Sequence, residues 1–247
     1  MSAASLRRFV RRAAEARRRA AAASLILVLG VAASGSARAD DSSEFWPEVS
    51  AFVGLSPGTR LYLDASNSRG KESNVRSLDL TGAVDVSLVP ILREELASRD
   101  WHRARYLWAR VGYTRVSQIE LANRNVAEDR GQLAVSARAP LPQDTWLELR
   151  ARTDLRWIDG NYSTRYRLRL DVSREFDWHG HALTPYANAE GFYDTRYEGY
   201  SRSLVQAGVE GTVNERLRVE AYLARQLTRL PSKSGLTAIG LVGKLYY

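Results

Sequence analysis

The run Thr237-Ala238-Ile239-Gly240-Leu241-Val242-Gly243-Lys244-Leu245-Tyr246-Tyr247 closes the chain. Its odd positions share one face of an extended strand and its even positions share the other, because side chains alternate with period two. The odd face carries Ile239, Leu241, Leu245 and a terminal ring, Tyr247. The same rhythm is sharper in Thr145 to Trp157, where Leu147, Leu149, Ala151, Thr153, Leu155 and Trp157 oppose Glu148, Arg150, Arg152, Asp154 and Arg156. A helix would mix these two sets on every face, whereas a strand separates them. The next segment repeats the pattern in the opposite register, with Tyr166, Leu168, Leu170 and Val172 against Arg165, Arg167, Arg169 and Asp171.

Working outward, alternation dominates from Trp46 to the end. Eleven segments stand out, at roughly 46–55, 59–68, 76–88, 104–116, 130–139, 145–157, 164–176, 183–194, 201–213, 217–228 and 236–247. Most run about ten to thirteen residues, longer than the ~5–6 usual in soluble sheets. Aromatics collect near their ends (Trp46, Trp101, Trp146, Trp157, Tyr166, Trp178, Tyr247), as membrane interfaces favour. Beyond residue 40 no stretch approaches the ~20 apolar residues of a spanning helix. The expected fold is therefore all-β: a transmembrane, antiparallel, up-and-down β-barrel over 40–247, with its apolar stripes in lipid and its charged stripes in the lumen. Even strand numbers are the rule for single-chain bacterial barrels, so twelve strands are expected, with ten next. Either a strand near the N-terminus is missing from the count, or the Trp46 segment stays out of the wall.

The terminal strand, ending on Leu241, Leu245 and Tyr247, resembles the assembly signal of bacterial outer-membrane barrels, which implies the barrel assembly machinery as a partner and outer-membrane lipid as the surroundings. The other end agrees. Residues 1–19 hold seven Arg and one acid, Ala20 to Ala37 is uncharged, and Ala37-Arg38-Ala39 is an A-x-A site. This is the pattern of a cleavable secretory signal peptide over 1–39. The expected location is the bacterial outer membrane, reached through the periplasm.

Tight turns are expected at 55–58, 139–144, 178–181 and 213–216. A long external connection is expected at Ser117–Asp129, and a long one at Pro90–Arg103 with a short helix near Ile91–Leu96. The loops at Gly70–Asn74 and Ser117–Asp129 are the surfaces most open to an external partner.

The run Arg165-Tyr166-Arg167-Leu168-Arg169-Leu170, then Pro185-Tyr186, Glu190-Gly191-Phe192-Tyr193, and Arg202 followed by Gly208 and Tyr222, resembles a bacterial family of outer-membrane β-barrels filed as a domain of unknown function. The resemblance extends over 46–247. It implies the fold and the location, and hands over no catalytic residue.

Composition narrows the chemistry. The formal charge of +8 comes almost wholly from residues 1–39, with eight Arg and one Glu; the remainder holds 28 Lys and Arg against 27 Asp and Glu. A nucleic-acid partner is not indicated, because the basic excess lies outside the barrel segment. Cysteine is absent, which removes disulfides and thiol chemistry. Lysine occurs only at 71, 233 and 244. Arginine supplies the rest, and its planar fork suits a crowded interior of carboxylates.

The predicted lumen face carries Glu148, Arg150, Arg152, Asp154, Arg165, Arg167, Arg169, Asp171, Glu190, Arg202, Glu210, Arg218 and Glu220. Two readings follow: a selective channel for small anionic solutes, or an ion-pair lattice that fills a narrow barrel. A lipid-modifying hydrolase of the same membrane would need a nucleophile and base together. The only histidines, His102, His179 and His181, fall near the connections expected on the periplasmic side, away from the outer leaflet. No catalytic set, no metal-ligand spacing and no cofactor motif is read here, so the chain is expected not to be an enzyme. A secreted soluble β-sandwich is the remaining alternative, with its apolar face buried and its charged face wetted.

Overall fold

A computed structural model describes residues 41–70, 75–88, 105–120, 125–231 and 234–247. The expected signal peptide with Ala37 and Ala39, the connection at 89–104 with His102 and Trp101, and the tips at 71–74, 121–124 and 232–233 lie outside the described residues.

Twelve strands follow one another: β1 (Asp41–Ser56), β2 (Thr59–Gly70), β3 (Val75–Ser87), β4 (Leu107–Glu120), β5 (Asn125–Leu141), β6 (Thr145–Ile158), β7 (Asn161–Arg174), β8 (Phe176–Trp178), β9 (His181–Asp194), β10 (Gly199–Thr212), β11 (Leu217–Thr228) and β12 (Ser234–Tyr246). A 3₁₀ turn, Thr195–Tyr197, joins β9 to β10. Each strand pairs with the next, except that β7 and the short β8 both pair with β9, and β12 returns to β1, so the sheet closes into a barrel.

The count of twelve matches the expectation, but its make-up differs in two respects. The twelfth strand is not an N-terminal one but β8, three residues that continue β7 on β9 in the same register after a break at Glu175. The wall itself therefore has eleven full strands. With an odd number, the first and last run the same way, and β1 pairs with β12 in parallel from Asp41↔Gly235 to Phe52↔Tyr246. The Trp46 segment thus joins the wall, and the barrel is antiparallel everywhere except at this seam.

Local chemistry sets the turns. Asp159-Gly160 and His179-Gly180 form two-residue hairpins with φ of 49° and 81°, and 55° and 84°. Consecutive left-handed residues make the turn that matches strand twist, and glycine carries the second position without strain. Asn214 Oδ1 accepts from the amides of Arg216 and Leu217, which folds the β10–β11 connection on itself. The expected long loop at Ser117–Asp129 is mostly strand: β4 runs to Glu120 and β5 starts at Asn125.

The expected faces hold. Leu80, Val111, Leu133, Leu168 and Ile239 point outward and stay exposed, Leu168 at 55% and Ile239 at 57%. Asp85, Asp154 and Asp194 point inward and are fully buried. A soluble fold would show the reverse; this is the arrangement of a membrane-spanning β-barrel. Trp157, Tyr166, Trp178 and Tyr247 are exposed on the outside. Trp46 and Trp146 depart from the expected girdle. Trp46 packs inside against the cluster of Phe192, Leu204, Ala224 and Ala238, and Trp146 is buried beneath the Arg138 guanidinium.

Eleven strands at ~4.8 Å spacing and ~40° tilt give a backbone radius of about 11 Å. Long side chains from opposite walls cover most of that width. Tyr222 lies along the wall instead: it pairs with Gly240 on β12, and its ring lies where a Cβ at position 240 would stand. Only glycine lets the ring fold flat against the wall.

Candidate functional site

Every charged residue expected in the lumen from Glu148 to Glu220 turns inward, and the register decides which ones meet. Four carboxylates on the β5–β9 arc collect most of the arginines. Glu128 on β5 accepts from Arg156 (2.6 and 2.9 Å) and Arg130 (2.9 Å). Arg156 also donates to Asp194 at 2.7 Å, and Arg165 reaches the same carboxylate at 3.0 Å. Glu190 on β9 takes Arg167 in a two-pronged pair at 2.9 and 3.0 Å and Arg169 at 2.9 Å, with Arg150 at 3.6 Å. Asp154 joins Arg152 at 2.5 Å and Arg167 at 3.7 Å. Arg167 thereby links Glu190 to Asp154. The longest of these bonds run from β6 across β7 to β9, and together they link β5, β6, β7 and β9, so the lattice ties this part of the wall together from inside.

Two further groups sit toward the C-terminal end. Asp85 on β3 is held by Arg60 on β2 at 2.8 Å and Arg110 on β4 at 2.6 Å. Arg60 lies over the Phe52 ring and Arg110 over the Tyr62 ring, at 4.3 and 3.8 Å from the centroids. On the other side Lys244 bridges Glu210 at 2.6 Å and Glu220 at 2.5 Å, Arg218 joins Glu210 at 3.1 Å, and the Tyr186 hydroxyl donates to Glu220. Arg202 donates to Gln226 at 3.3 Å and covers the Phe192 ring. Glu148 and Asp171 are cross-strand neighbours that line a cavity of about 300 Å³. A second recess of about 460 Å³ lies at the rim, between the turn at Gln143 and the start of β9.

Several lumen residues fall outside the expected set: Glu128, Arg130, Asp194, Asp85, Arg60, Arg110, Lys244, Glu48 and Asp64. Alternation places Asp85, Arg110, Asp194 and Lys244 on polar faces, so that signal could have found them. Glu128 was hidden in the stretch expected to be a loop. Leu241 and Tyr247 are exposed on the outer face of β12, with Leu245 on the same face. His179, in the turn between β8 and β9, and His181, the first residue of β9, are exposed. Among the described residues no group of three or more His, Cys, Asp or Glu is arranged to hold a metal ion.

Fold and lumen together define a membrane β-barrel with an ion-paired interior. The chain belongs to the family described as protein of unknown function DUF2490, whose model matches residues 44–236. No curated protein matches it. Among solved structures it is similar to the β domain of the Bordetella autotransporter BrkA, with TM-score 0.44 and 15% identity over 76% of this chain and 82% of that one. It is also similar to LpxR from Salmonella typhimurium, with TM-score 0.46 and 7% identity over 76% and 83%. The siderophore receptor PirA from Pseudomonas aeruginosa follows at TM-score 0.29 and 13% identity, over 74% of this chain and 35% of that receptor. These scores are too low for any property to pass from those proteins to this one.

Proposed function

We propose that this protein is an outer-membrane β-barrel of the bacterial envelope, exported through the periplasm behind a signal peptide, and that its lumen is narrow: an ion-paired interior that admits small solutes at most. The observation that carries this is the lattice around Glu190, Asp154 and Asp194, in which guanidinium groups from β6 and β7 reach carboxylates on β6 and β9. Side chains fixed by two or more charge-assisted bonds hold their position, and the space they occupy is closed to flow. Lipid covers the apolar face, the assembly machinery reads the terminal strand, and small anionic solutes are the cargo favoured by the arginine-rich wall.

The refolded chain in a planar bilayer is expected to pass little or no current. Replacing Arg150, Arg152, Arg167 and Arg169 with Ala, together with Asp154→Asn and Glu190→Gln so that their carboxylate partners are not left buried as charges, opens the lumen and raises the conductance. A closed state unchanged by that replacement, or a wide open pore in the unaltered protein, overturns the reading.

A further inference from the structure

The lattice leaves charge unspent on both walls of the lumen. In the β6–β7 register Arg150 stands opposite Arg169 and Arg152 opposite Arg167. Like charges in opposed positions repel, and the carboxylates paired with these four cations are Glu190 and Asp154. Arg150 is the least served. Its carboxylate contact is 3.6 Å, and its buried Nε has no hydrogen-bond partner among the described residues. Glu148 and Asp171 lie one row away and line the same cavity, but form no ion pair with Arg150 among the described residues.

Across the lumen the sign reverses. In an eleven-strand ring β1 and β2 lie opposite β6 and β7. There Glu48 and Asp64 share the Ser50 hydroxyl at 3.0 and 3.1 Å, and no ion pair holds either one among the described residues. Arg110, within electrostatic reach of Asp64, is held by Asp85 through bonds of 2.6 and 2.9 Å. The acidic and basic walls meet at one cavity. The cavity of about 300 Å³ between them is lined by Glu48, Ser50, Arg150, Arg152 and Arg169. At ~30 Å³ per water it has room for roughly ten waters or one small organic molecule.

We propose that this cavity binds a small zwitterionic solute, its anionic group on Arg150, Arg152 and Arg169 and its ammonium on Glu48, which Ser50 links to Asp64. An anion supplies acceptors to a guanidinium cluster short of them, and an ammonium brings three donors to Glu48, a carboxylate that shares its one hydroxyl donor with Asp64. A singly charged solute satisfies one wall and leaves the other as it was. The proposal rests on the narrow-lumen reading, since in a wide pore neither wall would confine a ligand.

The test compares three probes on the refolded chain by calorimetry: alanyl-alanine, its N-acetyl derivative lacking the ammonium, and its amide lacking the carboxylate. Alanyl-alanine is expected to bind about tenfold tighter than either analogue, the size of one charge-assisted hydrogen bond. The E48Q variant brings it down to the N-acetyl derivative, and R150Q brings it down to the amide. Because the analogues make the comparison on unaltered protein, the result does not depend on the variants folding. Equal binding of the dipeptide and its N-acetyl derivative, or binding of none of the three, overturns the proposal. Failure of the narrow-lumen reading shows separately, as a large conductance of the unaltered barrel.

Discussion

At the scale of the residue, Glu190 is the most heavily committed group in the lumen. It is buried on β9 and carries Arg167 and Arg169 from β7 and Arg150 from β6. A buried ion pair is weak evidence of net stability, because both charges must leave water. Removing one partner is another matter, since the remaining charges stay buried without compensation. Glu190→Gln is therefore expected to destabilise the barrel by about 3–5 kcal/mol, measured by urea unfolding in liposomes with tryptophan emission. Adding Arg167→Met to the same chain recovers part of the loss, because an anion and a cation then leave together. A Glu190→Gln barrel as stable as the parent would show that the three guanidinium groups find other acceptors. The inward direction of Glu190, Arg167 and Arg169 is legible from alternation. That they meet is not, because the meeting depends on how β7 is set against β9.

At the scale of the element, the parallel pairing of β1 with β12 is the feature that a count of segments does not foresee. Eleven alternating segments are visible in the chain, and the usual even number argues for another strand. The structure instead closes the odd ring by running its first and last strands together. The seam is open to a direct test because the protein contains no cysteine. Val49 pairs with Gly243, both on the outer face, and a Cβ at position 243 meets nothing within 4 Å. Val49→Cys with Gly243→Cys is expected to form a disulfide on oxidation, because directly paired strand residues fall within the ~4.4–6.8 Å Cα range a disulfide tolerates. Val49→Cys with Ile239→Cys, four residues out of register, is expected to stay reduced. A faster-migrating band from the second pair but not the first would place the seam in a different register.

The same scale explains why the Ser117–Asp129 stretch reads as a loop. Arg115 and Asp129 face outward on β4 and β5, joined at 2.5 Å, with the Tyr113 hydroxyl on the same carboxylate. Here the strands carry charge on the outer face as well as the inner one. Both faces are then polar and the period-two signal fades, although the backbone hydrogen bonds of the sheet continue.

At the scale of the whole molecule, the exposed outer face decides where the protein can exist. Leucine and valine side chains cover it from β2 to β12. In water such a surface would drive aggregation; in lipid it is solvated, and the closed ladder leaves no edge strand unpaired. The protein is expected to remain with the membrane through an alkaline carbonate wash and to need detergent for release. Recovery as a water-soluble monomer would mean that another layer of protein covers that face.

Alternation by itself settled the two-faced strands, the inward direction of the Glu148–Glu220 set and the outward direction of Leu241 and Tyr247, because the face of a strand residue depends only on its parity along the chain. Which carboxylate serves which arginine, how an odd ring closes, and the standing of Glu48 and Asp64 across from Arg150 were decided only by the tertiary structure. Those relations join residues up to about two hundred positions apart, and it is the stagger of strands around a closed ring, not the order of residues along any one of them, that sets who faces whom.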